Sequence, residues 1–543
     1  MFPTLKVAKL CLTFLTVIAI QLVPSAAYGG GKTVGAWKSN VGLGTGAIAT
    51  LVDELDTSGW LDIPSLCKRN TGLGFNALKK LTTEGISCEN TAVGANAMIE
   101  TTTGRLNTAV GSSALHENLT GSKNVAIGYQ ALQNNLDAEL NTAIGTFSLK
   151  QNASGEKNTA VGSSALHENL TGNENVAVGY SALLKNVGGE MNTAIGTHAL
   201  LDNLAGKRNT AVGSFALEGN KSLDNNTAIG FEALRDAESG GGKHTALGSG
   251  ALRFLVTGGA NTAIGYRALH MATLSSKNTA TGVHSLYNNQ KGNKNTANGY
   301  MALAKNFQGD HNIAIGAAAL ESNNGSQNSA MGTQALFANK TGADNTAIGF
   351  RAGGHNVSGS KNIFIGYRAG DNPQYTNVSN ILIISNGSRK KQPLIVGDFA
   401  QSRLRVNGVI TANELTKISD VRLKRNIKPI KNSLEKIVQL TGKTYALNHV
   451  DDESSPSDRL DFGLIAQEVE RVLPELVSTE ASGYKSVAYL KLIPILIEAI
   501  KSQQQQIEHL RKENITLQKS VDERIDYLVS MLSIKDSDAV ASQ

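Results

Sequence analysis

The sequence predicts a mainly β chain: a long parallel β-roll or solenoid rod, then a small α+β domain, then a C-terminal coiled-coil helix. Three observations carry this. A short motif recurs from residue 70 to about residue 388, mostly in steps of 17. The composition is rich in Gly (56) and only 5% aromatic, which argues against one large packed core in 543 residues. Beyond Tyr489 the apolar residues alternate in steps of four and three. A hydrophobic fraction of 41% is too ordinary for a disordered or collagen-like chain, and a net charge of +6 is too weak a bias to imply nucleic acid as a partner.

In chain order, residues 1–27 come first, with basic Lys6 and Lys9, an apolar run from Leu10 to Val23, and small residues Ser25, Ala26 and Ala27. This pattern predicts a signal peptide cleaved after Ala27, hence an exported bacterial chain, secreted or at the cell surface. The apolar run is too short and too interrupted to span a bilayer, and no membrane span is expected in the mature chain. Residues 28–69 form an expected N-terminal cap carrying Trp37 and Trp60, which shields the open end of the rod or, as the alternative, holds the binding site. Cys67 and Cys88 sit three and two residues before Asn70 and Asn90. They are a candidate disulfide between successive coils, with two unpaired thiols as the alternative.

The rod itself is read from Asn-Thr-Ala-(Ile/Val)-Gly-x-x-Ala-Leu, which opens 19 times between Asn70 and Asn380, with 14 of the 18 spacings equal to 17. One supersecondary unit per repeat follows. Each repeat is too short for two helices, and its Gly and Asn punctuation predicts strand, turn, strand, loop. At about 4.8 Å per coil, some 18 coils make a rod on the order of 85 Å long. The Ile/Val, the two Ala and the Leu are the expected core, which is thin for one chain. No Cys/His cluster and no Gly-Gly-x-Gly-x-Asp calcium pattern is present, so neither a metal nor a cofactor is expected. The coil resembles the head repeats of YadA-type trimeric adhesins. That resemblance implies a left-handed parallel β-roll, a homotrimer, and a surface that binds an unknown ligand or receptor, glycan or protein. Residues 530–543 lack the amphipathic strands of that family's outer-membrane anchor.

A neck or linker is expected at residues 389–418, opening on Arg389-Lys390-Lys391. Ser419-Asp420-Val421-Arg422-Leu423-Lys424-Arg425-Asn426-Ile427 follows, then Phe462-Gly463-Leu464-Ile465-Ala466-Gln467-Glu468-Val469-Glu470 and Pro474-Glu475-Leu476-Val477. This order resembles the C-terminal intramolecular chaperone domain of phage endosialidases, tail spikes and tail fibres, here over residues 419–495. The resemblance implies a self-cleaving Ser-Lys dyad with Ser419 as nucleophile, Lys424 as general base and the scissile bond between Ile418 and Ser419. A Lys can serve as base when burial or nearby positive charge favours its neutral form. Candidate supporting residues are Arg422, Asn426 and Glu468, with Arg422 and Arg425 supplying neighbouring positive charge.

Residues 496–532 are the expected coiled coil, with a seam through Leu496, Ile500, Gln503, Ile507, Leu510, Asn514, Leu517, Val521, Arg524, Leu528 and Met531. A disordered tail is expected at 533–543. A rod of near-identical coils can pair one repeat out of step at almost no energetic difference, so a C-terminal clamp that sets register first is useful. The expected function is an exported trimeric adhesin-like fibre whose chaperone drives in-register trimerisation and then cuts itself off. The alternative is a phage-derived tail fibre that binds a receptor and carries the same chaperone. No activity on external substrates is expected, since a uniform rod offers no placed carboxylate pair.

Overall fold

The Asn at the head of each coil sets the geometry of the rod. Its side chain is fully buried, as at Asn141, Asn175 and Asn192. Asn175 Oδ1 accepts the backbone N–H of Asn192 at 3.0 Å, and its Nδ2 donates to the Gly189 carbonyl at 2.8 Å. A buried amide left unpaired would cost roughly 1–3 kcal/mol, so each coil is satisfied only when the next is stacked on it. A second Asn row runs parallel to the first. Asn186 Nδ2 donates to Asn169 Oδ1 at 2.7 Å and also to the Gly189 carbonyl at 3.0 Å, so the two rows meet at one oxygen.

The computed structural model describes residues 41–43, 69–81, 88–387, 392–414, 416–446, 460–479 and 483–540, with side chains to residue 531. Two compact units divide the chain, one of residues 1–383 with 398–401 and one of 384–397 with 402–543. The leader at 1–27, Trp37, Trp60, Cys67 and Arg389-Lys390-Lys391 lie outside the described residues. Cys88 is disulfide-bonded.

The first unit is a parallel β-solenoid. Each coil contributes one three-residue strand, and neighbours pair in register: Thr193–Ile195 lies on Thr210–Val212 with Ala194 opposite Ala211. The stack starts before residue 70, because Val41–Leu43 pairs in parallel with Thr71–Leu73. Asn40 and Gly44 flank that first strand at the usual offset, a copy of the motif displaced from its neighbour by 30 residues.

Two expectations are corrected here. The Ile/Val position does not enter the core: Ile195 is 41% and Ile348 45% exposed, while Ala194, Ala199 and Leu200 are fully buried. In a three-residue strand the middle side chain points opposite to its neighbours, and along most of the narrow interior that position is filled by Ala. The expected second strand is also absent from the coils among the described residues. Past the Gly, the chain bends at every other residue, with His198 at φ 56° and Leu200 at φ 52° in the left-handed region. Such backbone costs about 1 kcal/mol or more per residue and persists because stacking fixes it. The His198 N–H bonds back to the Tyr180 carbonyl at 3.0 Å, and the Leu200 N–H bonds forward to the Ala216 carbonyl at 2.9 Å.

Near the end of the solenoid the Leu position becomes Gly353 and Gly370, yet the core stays filled. Phe364 replaces the strand Ala and is fully buried, and a Cβ on Gly353 would lie 2.6 Å from its ring. Volume has moved from one column to another. Asp371 closes this end, fully buried and bonded to Arg368 Nε at 2.8 Å, Arg351 Nε at 3.1 Å and His355 Nδ1 at 2.7 Å. Burial alone would raise its carboxyl, but those three partners outweigh it and hold it below the ordinary range.

His244 replaces the ladder Asn in one coil, and the rod is expected to lose stability in acid through it. Its backbone N–H bonds to Asn226 Oδ1 at 3.0 Å, and its Nδ1 accepts the Asn261 N–H at 3.3 Å, as an Asn oxygen would. The Nε2 is buried without a hydrogen-bond partner. A proton on Nδ1 would set donor against donor. Burial pushes the imidazole down to about 4, against the weaker upward pull of Gly258. The unfolded chain therefore binds a proton that the folded chain refuses between about pH 6.5 and pH 4, and stability falls as pH drops through that window, by up to about 3 kcal/mol. His244→Asn is expected to remove this component. Thermal melts of both chains at stepped pH check it, and parallel pH dependences would refute it.

Candidate functional site

The second unit is assembled around a small apolar cluster of Val469, Leu473, Leu476, Leu492 and Ile495. Helices α1 (Ser433–Ile437) and α2 (Ala466–Val472) pack there with the start of α3 (Leu492–Val540). Two antiparallel hairpins complete it, Lys443–Tyr445 with Asp461–Gly463 and Val477–Thr479 with Lys485–Val487. Helix α3 runs unbroken for 49 residues, because no Gly or Pro interrupts it after Pro494 in its first turn. The backbone of 533–540 is therefore helical where a disordered tail was expected. The apolar seam positions described along α3, among them Ile500, Leu510, Leu517 and Leu528, are all exposed.

The predicted dyad lies on a six-residue turn. Lys424 Nζ is 2.6 Å from Ser419 Oγ. What folds the chain back between them is a 3-10 turn, Val421–Leu423, capped by Asp420. Asp420 is an N-cap of the usual kind: its Oδ1 accepts the Arg422 N–H at 2.8 Å. The turn closes through the Leu423 N–H on the Asp420 carbonyl at 3.2 Å and the Lys424 N–H on the Val421 carbonyl at 3.0 Å. Asn426 then turns the chain away with a left-handed backbone, φ 56°.

Arg422 does not stand as an unpaired charge beside Lys424. Its Nη2 reaches Asp420 Oδ2 at 2.7 Å and its Nε reaches both carboxylate oxygens at 3.1 Å. The Arg422 side chain, followed by its backbone N–H, holds the Asp420 carboxyl below the ordinary range, and Asp420 in turn raises the guanidinium. Glu468, in the first turn of α2, pairs with Lys443 Nζ at 3.7 Å, while Glu470 on the same helix meets Lys485 Nζ at 2.6 Å. The geometry thus brings Ser419, Asp420, Arg422 and Lys424 together and gives Glu468 a partner on the first hairpin. Asp420 was not singled out from sequence, although an acidic residue one before a short turn is the ordinary signal for a cap.

The dyad is open to solvent, and the apolar residues next to it in sequence are exposed as well. Ile418 is 80% exposed, and Val421, Leu423 and Ile427 are each about two-thirds exposed or more, at 67%, 74% and 66%. A hydroxyl and an amine in contact can exchange a proton, and an adjacent carbonyl is what that hydroxyl can attack. Among the described residues no group of three or more His, Cys, Asp or Glu could hold a metal ion, and no helix is long and apolar enough to cross a membrane.

The long tail fiber protein Gp37 of Enterobacteria phage K3 is 33% identical over 100 residues, 18% of this chain and 8% of that protein. Its namesake in Salmonella phage S16 is 33% identical over 110 residues, 20% of this chain and 15% of that protein, and the one in Escherichia phage AR1 is 38% identical over 66 residues, 12% and 6%. The chain thus spans 15% or less of the length of these relatives. No solved structure matches it. Residues 419–478, which carry both Ser419 and Lys424, match the family model for the chaperone of endosialidase.

Proposed function

We propose that the chain is a tail-fibre-like rod whose C-terminal domain brings three copies into register and then cuts itself off between Ile418 and Ser419. The observation that carries this reading is the 2.6 Å contact of Lys424 Nζ with Ser419 Oγ inside the segment matched by the chaperone family. Similarity to phage long tail fiber proteins favours the tail fibre over the exported adhesin.

The chemistry is local. Lys424, as the neutral amine, takes the proton from Ser419 Oγ, and the oxygen attacks the Ile418 carbonyl carbon through a five-membered ring. The C–N bond breaks, the proton passes to the Ser419 α-amine, and an ester of Ile418 on Ser419 Oγ remains. Water hydrolyses that ester, giving an Ile418 carboxylate and a free Ser419. The net change is one peptide bond and one water consumed, with no cofactor.

Assembly has its own support. A single chain leaves two apolar rows in solvent, the Ile/Val row of the coils and the seam of α3. A homotrimer covers both, a coiled coil over residues 496–532 setting the register while the polar seam residues Gln503, Asn514 and Arg524 penalise slipped pairings. The chaperone is then residues 419–495, and the released rod binds a receptor, glycan or protein. Native mass of the uncut Ser419→Ala chain is expected at three copies; a single copy would overturn the assembly. The leader pattern at residues 1–27 favours export as a second reading. The N-terminus of the purified protein separates the two, Tyr28 for export and an unprocessed start for a fibre assembled inside the cell.

A further inference from the structure

Self-cleavage makes a demand that Ser419 and Lys424 do not meet alone. Lys424 must present a neutral amine, yet a carboxylate, Asp420, follows directly after the nucleophile. A bare carboxylate near an amine favours the ammonium form, which has no lone pair for the Ser419 proton. Asp420 is not bare. Both its oxygens are taken by the guanidinium of Arg422, Oδ2 by Nη2 at 2.7 Å and Oδ1 by Nε at 3.1 Å, in a forked arrangement. The same Oδ1 also accepts the Arg422 backbone N–H at 2.8 Å and so starts the turn that carries Lys424 back to Ser419.

We propose that Asp420 and Arg422 are positioning residues of the dyad: Asp420 sets the turn that returns Lys424 to Ser419, and Arg422 masks the Asp420 charge from the Lys424 amine. This inference rests on the self-cleavage reading. The arrangement gives Arg422 a role different from the one its position suggests, since its charge is matched by Asp420 and acts on Lys424 through it. The depressed carboxyl of Asp420 fits a pair that stays closed at neutral pH.

The two roles separate by substitution. Asp420→Asn keeps a side-chain oxygen for the cap and removes the charge. Asp420→Ala removes both. Arg422→Ala leaves the cap and unmasks the charge, and the double variant Asp420→Asn with Arg422→Ala has neither charge while keeping the cap. The measurement is the first-order rate of cleavage of the full chain, followed by intact mass across neutral to alkaline pH. Asp420→Ala is expected to slow cleavage by about fivefold, the effect of losing one cap, and to set the midpoint of the pH–rate profile at or below the parental value, since the Arg422 charge is then unmatched. Arg422→Ala is expected to move the midpoint of the pH–rate profile up by about one unit, and the double variant to bring it back to the parental value or below.

An Arg422→Ala profile that coincides with the parent, or a double variant that keeps the raised midpoint, overturns the inference. Arg422→Ala and the double variant retain the cap, so they read the charge even where Asp420→Ala fails to fold. A parent that never cuts removes the self-cleavage reading along with this inference, whereas a parent that cuts, beside variants that all share its profile, removes this inference alone.

Discussion

Ala at Gly196 is expected to open the rod around that coil. Gly196 has φ +132°, a backbone that L side chains rarely adopt, and a Cβ there would lie 2.7 Å from both the carbonyl carbon and the oxygen of Gly213. Those atoms are backbone and cannot rotate away. Relaxation along the rod is also closed off, because Gly179 and Gly213 stand in the same column with the same conformation and equally close neighbours. The expected loss is more than about 3 kcal/mol, combining backbone strain with a backbone clash. It should be local, since each coil of a solenoid contacts only its neighbours. Amide hydrogen exchange is expected to show lost protection over the adjacent coils and parental protection far from them. Thr197→Ala, at the exposed next residue, is the control and should change stability by less than about 0.5 kcal/mol. Equal protection in the two variants would contradict the stacking argument.

The second large effect concerns the dyad. Ser419→Ala removes the attacking oxygen and Lys424→Ala the base, and each is expected to lower cleavage by about a thousandfold or more. Lys424→Arg is the sharper variant. It keeps a positive charge and a long side chain at the position 2.6 Å from Ser419 Oγ, yet a guanidinium stays protonated and cannot take the proton. An uncut Lys424→Arg chain separates proton transfer from mere contact, and one that cuts at the parental rate would leave Lys424 with a structural part only.

The repeat and its parallel stacking were legible because the 17-residue period is strong and the Asn and Gly columns are nearly unbroken. The interior was harder to read. Large apolar Ile and Val drew the eye as core, although simple strand alternation in Thr-Ala-Ile puts Ala alone on the inner face, as Ala194 shows beside exposed Ile195. Asn118, Asn135 and Asn152 read as turn formers, and the signal that they form a buried column was their shared 17-residue register. Left-handed Leu200 was not readable at all, since propensity disfavours it and only stacking holds it. At the candidate site, Ser five residues before Lys is no motif by spacing. The dyad was found through family resemblance, and the local logic of Asp420 emerged only once the turn was seen.

Intact mass of the purified full chain beside its Ser419→Ala variant tests the central claim most directly. Two fragments from the parent, one beginning at Ser419, with a single uncut species from the variant, is the predicted result. An uncut parent, or a variant that yields the same fragments, would contradict it.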